Sequence, residues 1–318
     1  MSTEDGRRSA SAASVPGGER VGARSASGGR RRAGLRGRGT QRYWWRYLLA
    51  AVMVVFAVVP AVWVVSASLN PAKTLMGASL LPRNPGFVNY GDLINHPSYP
   101  FERWLLNSIK VTAISVTLTV AITVAAGYAL SRFKFAGKRA FMTGILVLNV
   151  FPAVLSVIAL FGMIQQLGTQ LPWFGLNSHV SLIFVYVSFG LGINVLLVKA
   201  YIDRLPRELD ESALVDGASF GRVFRSIVLP LIRPIIVTVA VLQTFAVYGD
   251  FVIARVLLRN SDQLTVMVGL MLFQTVRFEQ DWGVITAGAV LASLPVLLLY
   301  IPVQRYVISG LTSGAVKE

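Results

Sequence analysis

The chain alternates long apolar runs with short charged connections, and that alternation decides its fold class. A helix needs about 20 apolar residues to cross the hydrocarbon core of a bilayer. Six runs of that order occur, at about 45–69, 105–130, 140–161, 180–200, 231–258 and 284–308. Lipid cannot pair with backbone N–H and C=O groups, so unbroken runs of this length are expected as helices. The expected fold is all-α, a polytopic membrane protein with six transmembrane helices. Of 318 residues, 54% are hydrophobic and only 14% charged, which excludes an ordinary soluble domain. The second run is rich in Thr, Ser, Ala and Gly, residues that let helices approach closely in lipid, so it belongs inside the bundle.

The formal charge of +15 could suggest nucleic acid, but its distribution argues for membrane orientation and lipid contact instead. Eleven arginines precede residue 47, in a Ser/Gly/Ala-rich stretch with little to bury. Residues 1–44 therefore read as a disordered basic cytoplasmic tail without the apolar core of a secretory signal. Arg132, Lys134, Lys138 and Arg139 crowd the connection between the second and third runs. The next connection has no Lys or Arg, and the one after carries Lys199, Arg204, Arg207, Arg222, Arg225 and Arg233. The positive-inside rule then places both termini and the 205–234 loop in the cytoplasm, with Arg255, Arg259 and Arg277 as exceptions to the bias. Two long outer segments remain. Residues 70–104 are expected as a folded cap, and 259–283 hold an amphipathic piece over 264–273.

Catalytic chemistry finds no support. The chain has no cysteine, and its two histidines, His96 and His179, lie in short polar connections and read as solvated. Neither a phosphate-binding Gly-rich loop nor a Ser–His–Asp or metal-ligand cluster occurs. No catalytic or metal residues and no cofactor are expected in this chain. Energy for any work must come from a partner or an ion gradient.

Polar chemistry gathers in residues 205–234 instead. Pro206 suits the first turn of a helix, and Glu208, Asp210 and Glu211 place negative charge near its N-terminus. Leu209, Ala213 and Gly217 recur at helical spacing, Gly217 can close that helix at positive φ, and Ser219 can cap the next. Phe220, Val223, Phe224, Ile227 and Val228 form a second apolar stripe, which Pro230 is expected to end. Two short amphipathic helices with a tight elbow result.

Glu211, Ala213, Gly217, Ile227, Leu229 and Pro230 stand at the spacing Glu-Ala-Ala, three residues, Gly, nine residues, Ile, one residue, Leu-Pro, with Ser212 for the middle Ala. This resembles the cytoplasmic loop of permease subunits of binding-protein-dependent, ATP-driven importers. Gly310, Leu311, Thr312, Gly314, Val316 and Lys317 are similar to the C-terminus of the second permease of maltose-type importers. The resemblance covers 45–318 as a permease domain and leaves out the basic tail. It implies a docking loop for an ATPase over 205–230, with Glu211, Ser212, Ala213, Asp216 and Gly217 facing the partner. Phe220, Phe224, Ile227, Leu229 and Pro230 would anchor the loop to the bundle. It also implies a tail at 309–318 reaching between two ATPase subunits, which bind ATP and Mg. The other implied partners are a homologous permease and an extracytoplasmic binding protein.

Asp250 is the ionisable residue to question, since a carboxylate at depth costs roughly 2.5–3.5 kcal/mol and calls for a cavity or a partner. Where sugar permeases of this kind read Trp-Asn-(Asp or Glu)-Phe, this chain reads Tyr248-Gly249-Asp250-Phe251. Asp250 either touches cargo or fixes helix geometry. Asn149, Asn194, Gln243 and Tyr248 are weaker pathway candidates, each equally suited to an interhelical hydrogen bond. Gln274, Arg277, Glu279, Asp281 and Trp282 lie where the resembling subunit meets its binding protein. The expected cargo is a carbohydrate such as maltose, maltodextrin or trehalose. The rivals are the same machinery carrying glycerol phosphate or a polyamine, or an ion-coupled transporter working alone.

Overall fold

The structure, a computed structural model, describes residues 44–71, 84–150, 153–275 and 281–312. Two units divide at residue 55, with Phe56–Glu318 holding nearly all the packing. The basic tail, Pro82, Pro152, Arg277, Glu279, Gly314, Val316 and Lys317 lie outside the described residues.

Among the described residues the chain is helical throughout. The elements are α1 (Trp44–Ser68), α2 (Val88–Ile94), α3 (Phe101–Arg132), α4 (Lys138–Val150), α5 (Ala153–Gln170) and α6 (His179–Ile202). The elbow follows as α7 (Glu208–Val215) and α8 (Phe220–Val223). After it come α9 (Leu229–Leu231), α10 (Arg233–Tyr248), α11 (Val252–Leu257), α12 (Val266–Thr275) and α13 (Trp282–Thr312). Against six expected spans, four helices among the described residues, α1, α3, α6 and α13, are each long and apolar enough to cross a membrane, or five if the bent run from α8 to α10 counts as one span. The expected third span holds α4 and α5, with residues 151 and 152 between them outside the described residues, and the fifth is divided into α10 and α11. Pro295 and Pro302 leave α13 unbroken. That helix runs on through Gly310, Leu311 and Thr312, beyond the expected end of the sixth span.

The small-residue run over 105–130 does become the internal helix. Ser108, Thr112, Ser115, Thr119 and Thr123 of α3 are all buried, and α3 packs most extensively along α6. They come close at Gly127, where a Cβ would sit 2.8 Å from Val198 Cγ1. Farther along α6, a Cβ on Gly190 would meet the Gln243 amide of α10 at 2.5 Å. Two glycines thus set the spacing of the three central helices.

At the end of the bundle opposite the elbow, the cap is built on aromatic rings. Trp104 is fully buried, donates from Nε1 to the Ser261 carbonyl at 2.7 Å, and packs against Tyr99 and Phe273. The expected amphipathic piece is the buried α12, since Leu264, Val266, Val268, Leu270 and Phe273 fill the core around Trp104. Neither histidine is simply solvated. His96 stacks on Tyr99 at 4.5 Å, and His179 opens α6 half-buried, with Nε2 2.8 Å from the Gln263 carbonyl. Each sits against an apolar or carbonyl surface that the sequence separates from it by 80 residues or more in the second case, which no local pattern announces.

Gly269 of α12 faces the Trp104 ring so closely that any Cβ would enter it. Gly269→Val is expected to destabilise the protein by about 1–3 kcal/mol through overpacking, read as a lower melting temperature in detergent.

Candidate functional site: a clamped elbow and a polar cavity

The elbow begins where α6 ends. Its first helix, α7, carries Glu208, Asp210 and Glu211 in the first turn, where the helix dipole favours negative charge. Gly217 takes φ +81° as expected. The Ala218 N–H reaches the Ala213 carbonyl at 2.9 Å and the Gly217 N–H reaches Leu214 at 3.1 Å, the double closure of a Schellman turn. One face of α7 is open: Val215 is 87% exposed, and Glu211, Ser212, Asp216 and Gly217 are exposed beside it.

Two details differ from expectation. Ser219 holds the N-cap position of α8 in extended backbone, but its side chain makes no capping bond. Instead, its carbonyl accepts from Arg222 and Val223. Pro230 does not end the second helix. A wide π-type turn over Phe224–Val228 carries the chain into α9, and the widened ladder relieves the ring's clash with the preceding carbonyls. The bend comes at Ile232, where α8–α9 and α10 meet at 72°.

The elbow is fastened to α3 on its apolar side. Val223, Val228 and Ile232 are buried with Val124, Tyr128 and Val198, and Phe224, Ile227, Leu229 and Ala213 pack around them. The Phe224 ring lies 4.7 Å from Tyr128, and the half-open Phe220 ring 5.5 Å from Phe133. Polar ties join the same elements. Arg132 Nε lies 2.5 Å from Asp210 Oδ2, an ion pair off the line of the N–H, and Arg132 Nη2 donates to the Leu205 carbonyl at 3.2 Å. Arg207 donates to the Ser131 carbonyl at 3.4 Å. Asp203 accepts from Ser131 Oγ at 2.6 Å and from Lys199 Nζ at 2.5 Å. Partial burial pushes the Asp203 carboxyl up, but the hydrogen bonds from Lys199 and Ser131 outweigh it and hold the group below its ordinary value. A depressed carboxyl stabilises the fold above its unfolded pKa and loses that contribution as pH falls through the folded one, so the tie is intact at neutral pH.

The pathway candidates converge on a cavity of about 840 Å³ between α3, α4, α5, α6, α10 and α11. Asn149, Asn194, Gln243 and Asp250 all line it, together with Tyr186. Tyr248 does not, because it turns toward α13 and donates to the Ala292 carbonyl at 2.7 Å. Within the wall, Asn194 Nδ2 donates to Gln243 Oε1 at 3.3 Å, and Gln243 Nε2 donates to the Tyr186 carbonyl at 3.4 Å. Asn149 Nδ2 donates to the Ile145 carbonyl within α4. Asp250 closes the gap between α10 and α11. Its Oδ2 accepts from Tyr186 Oη at 2.8 Å and from the Ala254 N–H at 3.0 Å, which starts α11. So Asp250 fixes helix geometry and also borders the cavity. Sequence reasoning missed Tyr186, whose hydroxyl looks like any tyrosine in an apolar run until α6 and α10 are packed.

At the opposite end, Asp281 accepts from the Val284 N–H at 3.3 Å and caps α13, with Trp282 the first residue of that helix. Gln274 lies near the end of α12. No cluster of three or more His, Cys, Asp or Glu side chains able to hold a metal occurs among the described residues.

An all-helical bundle with a polar elbow on one end and, among the spans, an open, largely apolar cavity bordered by a few polar groups defines a membrane translocator. Residues 117–312 match the family described as the binding-protein-dependent transport system inner membrane component. The chain belongs to that family, as a permease subunit. It is 36% identical over 272 residues to the galactooligosaccharides transport system permease protein GanQ of Bacillus subtilis, covering 85% of this chain and 94% of that one. It is 33% identical over 289 residues to the maltose/maltodextrin transport system permease protein MalG of Vibrio parahaemolyticus, covering 87% and 96%. The MalG of Escherichia coli K12 is 34% identical over 282 residues. Among solved structures, a bacterial ABC transporter that imports the acidic polysaccharide alginate superposes with a TM-score of 0.72 at 21% identity, over 86% of this chain and all of that one.

Asp250→Ala would leave the Tyr186 hydroxyl and the Ala254 N–H without their acceptor, a loss of about 1–3 kcal/mol. Asp250→Asn keeps an acceptor and is expected to melt closer to the parent protein than Asp250→Ala does.

Proposed function

We propose that this chain is one of two non-identical permeases in an ATP-driven importer of oligosaccharides. The elbow carries the reading: an open α7 face closed by a positive-φ glycine, on a base fixed to the spans. Each permease docks one cytoplasmic ATPase subunit through such an elbow. Glu211, Ser212, Asp216 and Gly217 meet the ATPase surface, and Phe220, Phe224, Ile227, Leu229 and Pro230 hold the loop to the bundle. ATP and Mg sit in the ATPase, and this chain catalyses nothing. The elbow and both termini face the cytoplasm, as the basic residues of the connections favour. The C-terminal residues 309–318 reach between the ATPase subunits.

A binding protein outside the membrane delivers the cargo, and Gln274, Asp281 and Trp282 belong to the end it meets. The relatives named for galactooligosaccharides and for maltose and maltodextrin support a neutral sugar of a few hexose units. The cavity agrees with that choice, because the Asn149, Asn194 and Gln243 amides offer both donors and acceptors to hydroxyl groups. Closure of the ATPases on ATP moves the elbow as a lever and opens the spans outward, and hydrolysis resets them.

Gly217→Trp is expected to abolish uptake while the bundle stays folded, and unimpaired transport would exclude docking at the elbow. Deleting residues 309–318 is expected to lower ATP hydrolysis stimulated by loaded binding protein, measured in reconstituted vesicles. In the same assay a hexose oligosaccharide should stimulate hydrolysis. Stimulation by glycerol phosphate or a polyamine instead would overturn the cargo.

A further inference from the structure

An arginine at the end of a transmembrane helix ordinarily turns toward water or lipid headgroups. Arg132 does neither. It closes α3, yet its side chain is only 8% exposed, and its partner Asp210 on α7 only 13%. Burying this pair is costly unless both groups are held and paired, and the surroundings supply part of that hold, although Arg132 Nη1 makes no hydrogen bond. Arg132 also donates to the Leu205 carbonyl, Arg207 returns from the elbow to the Ser131 carbonyl, and Ser131 Oγ grips Asp203 at the end of α6. Tyr128 packs tilted against Phe224, and Phe133 of the same segment packs edge-on against Phe220. A few residues up the helix, α3 touches α6 through Gly127, with no room there for a methyl group. The elbow follows α6 in the chain, but its ion pair, its aromatic contacts and two backbone acceptors all join it to α3.

We propose that Arg132 and Asp210 are positioning residues that make the elbow and the cytoplasmic end of α3 one rigid body, so that force taken up at the elbow enters the bundle through α3. The geometry gives the reason for the charge. An apolar contact could slide under load, whereas a buried ion pair loses its partner at the first ångströms of separation and resists that motion. This inference rests on ATPase docking at the elbow, and the two fail differently. If docking is wrong, the ATPase does not bind the parent complex through the elbow at all. If the clamp is wrong, the ATPase binds and transport stays coupled without the pair.

The assembled complex in vesicles tests it with Arg132→Asp, Asp210→Arg and the double exchange. Each single variant should still retain the ATPase in pull-downs while solute moved per ATP hydrolysed falls about tenfold, and the double exchange should restore most of it. A purely structural pair would lower protein yield and activity together with that ratio unchanged, and this would overturn the proposal, as would singles that couple normally. Should the single variants fail to fold, a second measurement decides. The chain has no cysteine, so nitroxide labels can be placed at Lys134→Cys and Glu208→Cys, both exposed and outside the ion pair. Their separation should be the same in nucleotide-free and ATP-trapped complexes. A shift of about 5 Å, one helical turn, would show that the elbow slides on α3 and would end the proposal.

Discussion

A backbone that leaves its helix inside a membrane protein has no water to turn to, so each break must be closed by a polar group from elsewhere. Two breaks in this chain are closed that way. Asp250 takes the Ala254 N–H where α10 gives way to α11. Arg132 donates to the Leu205 carbonyl where α6 gives way to the elbow. In each case the closing side chain comes from outside the break or reaches across it, so the bond that satisfies the backbone also ties the fold.

The same constraint gathers the polar side chains that function needs. Tyr186, Asn194, Gln243 and Asp250 form one chain of hydrogen bonds and contacts from α6 to α10 and α11, and together they border the cavity. Glycines make this possible. Gly190 leaves room for the Gln243 amide, and Gly127 brings α3 against α6. In the proposed importer these helices are what the elbow moves, and the polar wall is what the sugar meets.

Much of this was legible in the sequence because the physics is local. Run length gave four of the six expected spans as single long helices, small residues marked α3 as internal, and Gly217 announced the turn that closes α7. What escaped depends on packing between distant segments. Pro230 reads as a stop, but a wide turn upstream lets the chain pass through it. Tyr248 shares its run with Gln243 and Asp250, yet it points to α13 because helical rotation puts it on the other face. Arg132 and Asp210 each read as a surface charge near a helix end, since nothing local tells that they are neighbours 78 positions apart in the chain. The break in the fifth span was hidden because Phe251, Val252 and Ile253 resume the apolar run directly after it.

The most direct test is whether the elbow lies inside the cell and touches an ATPase. With no native cysteine, Glu211→Cys offers a single thiol on the open face of α7. A membrane-impermeant maleimide should label it only in inside-out vesicles, and a short thiol cross-linker should join it to the ATPase subunit. Labelling from the outside of intact cells, or a thiol that never reaches an ATPase in a transport-competent complex, would contradict the account.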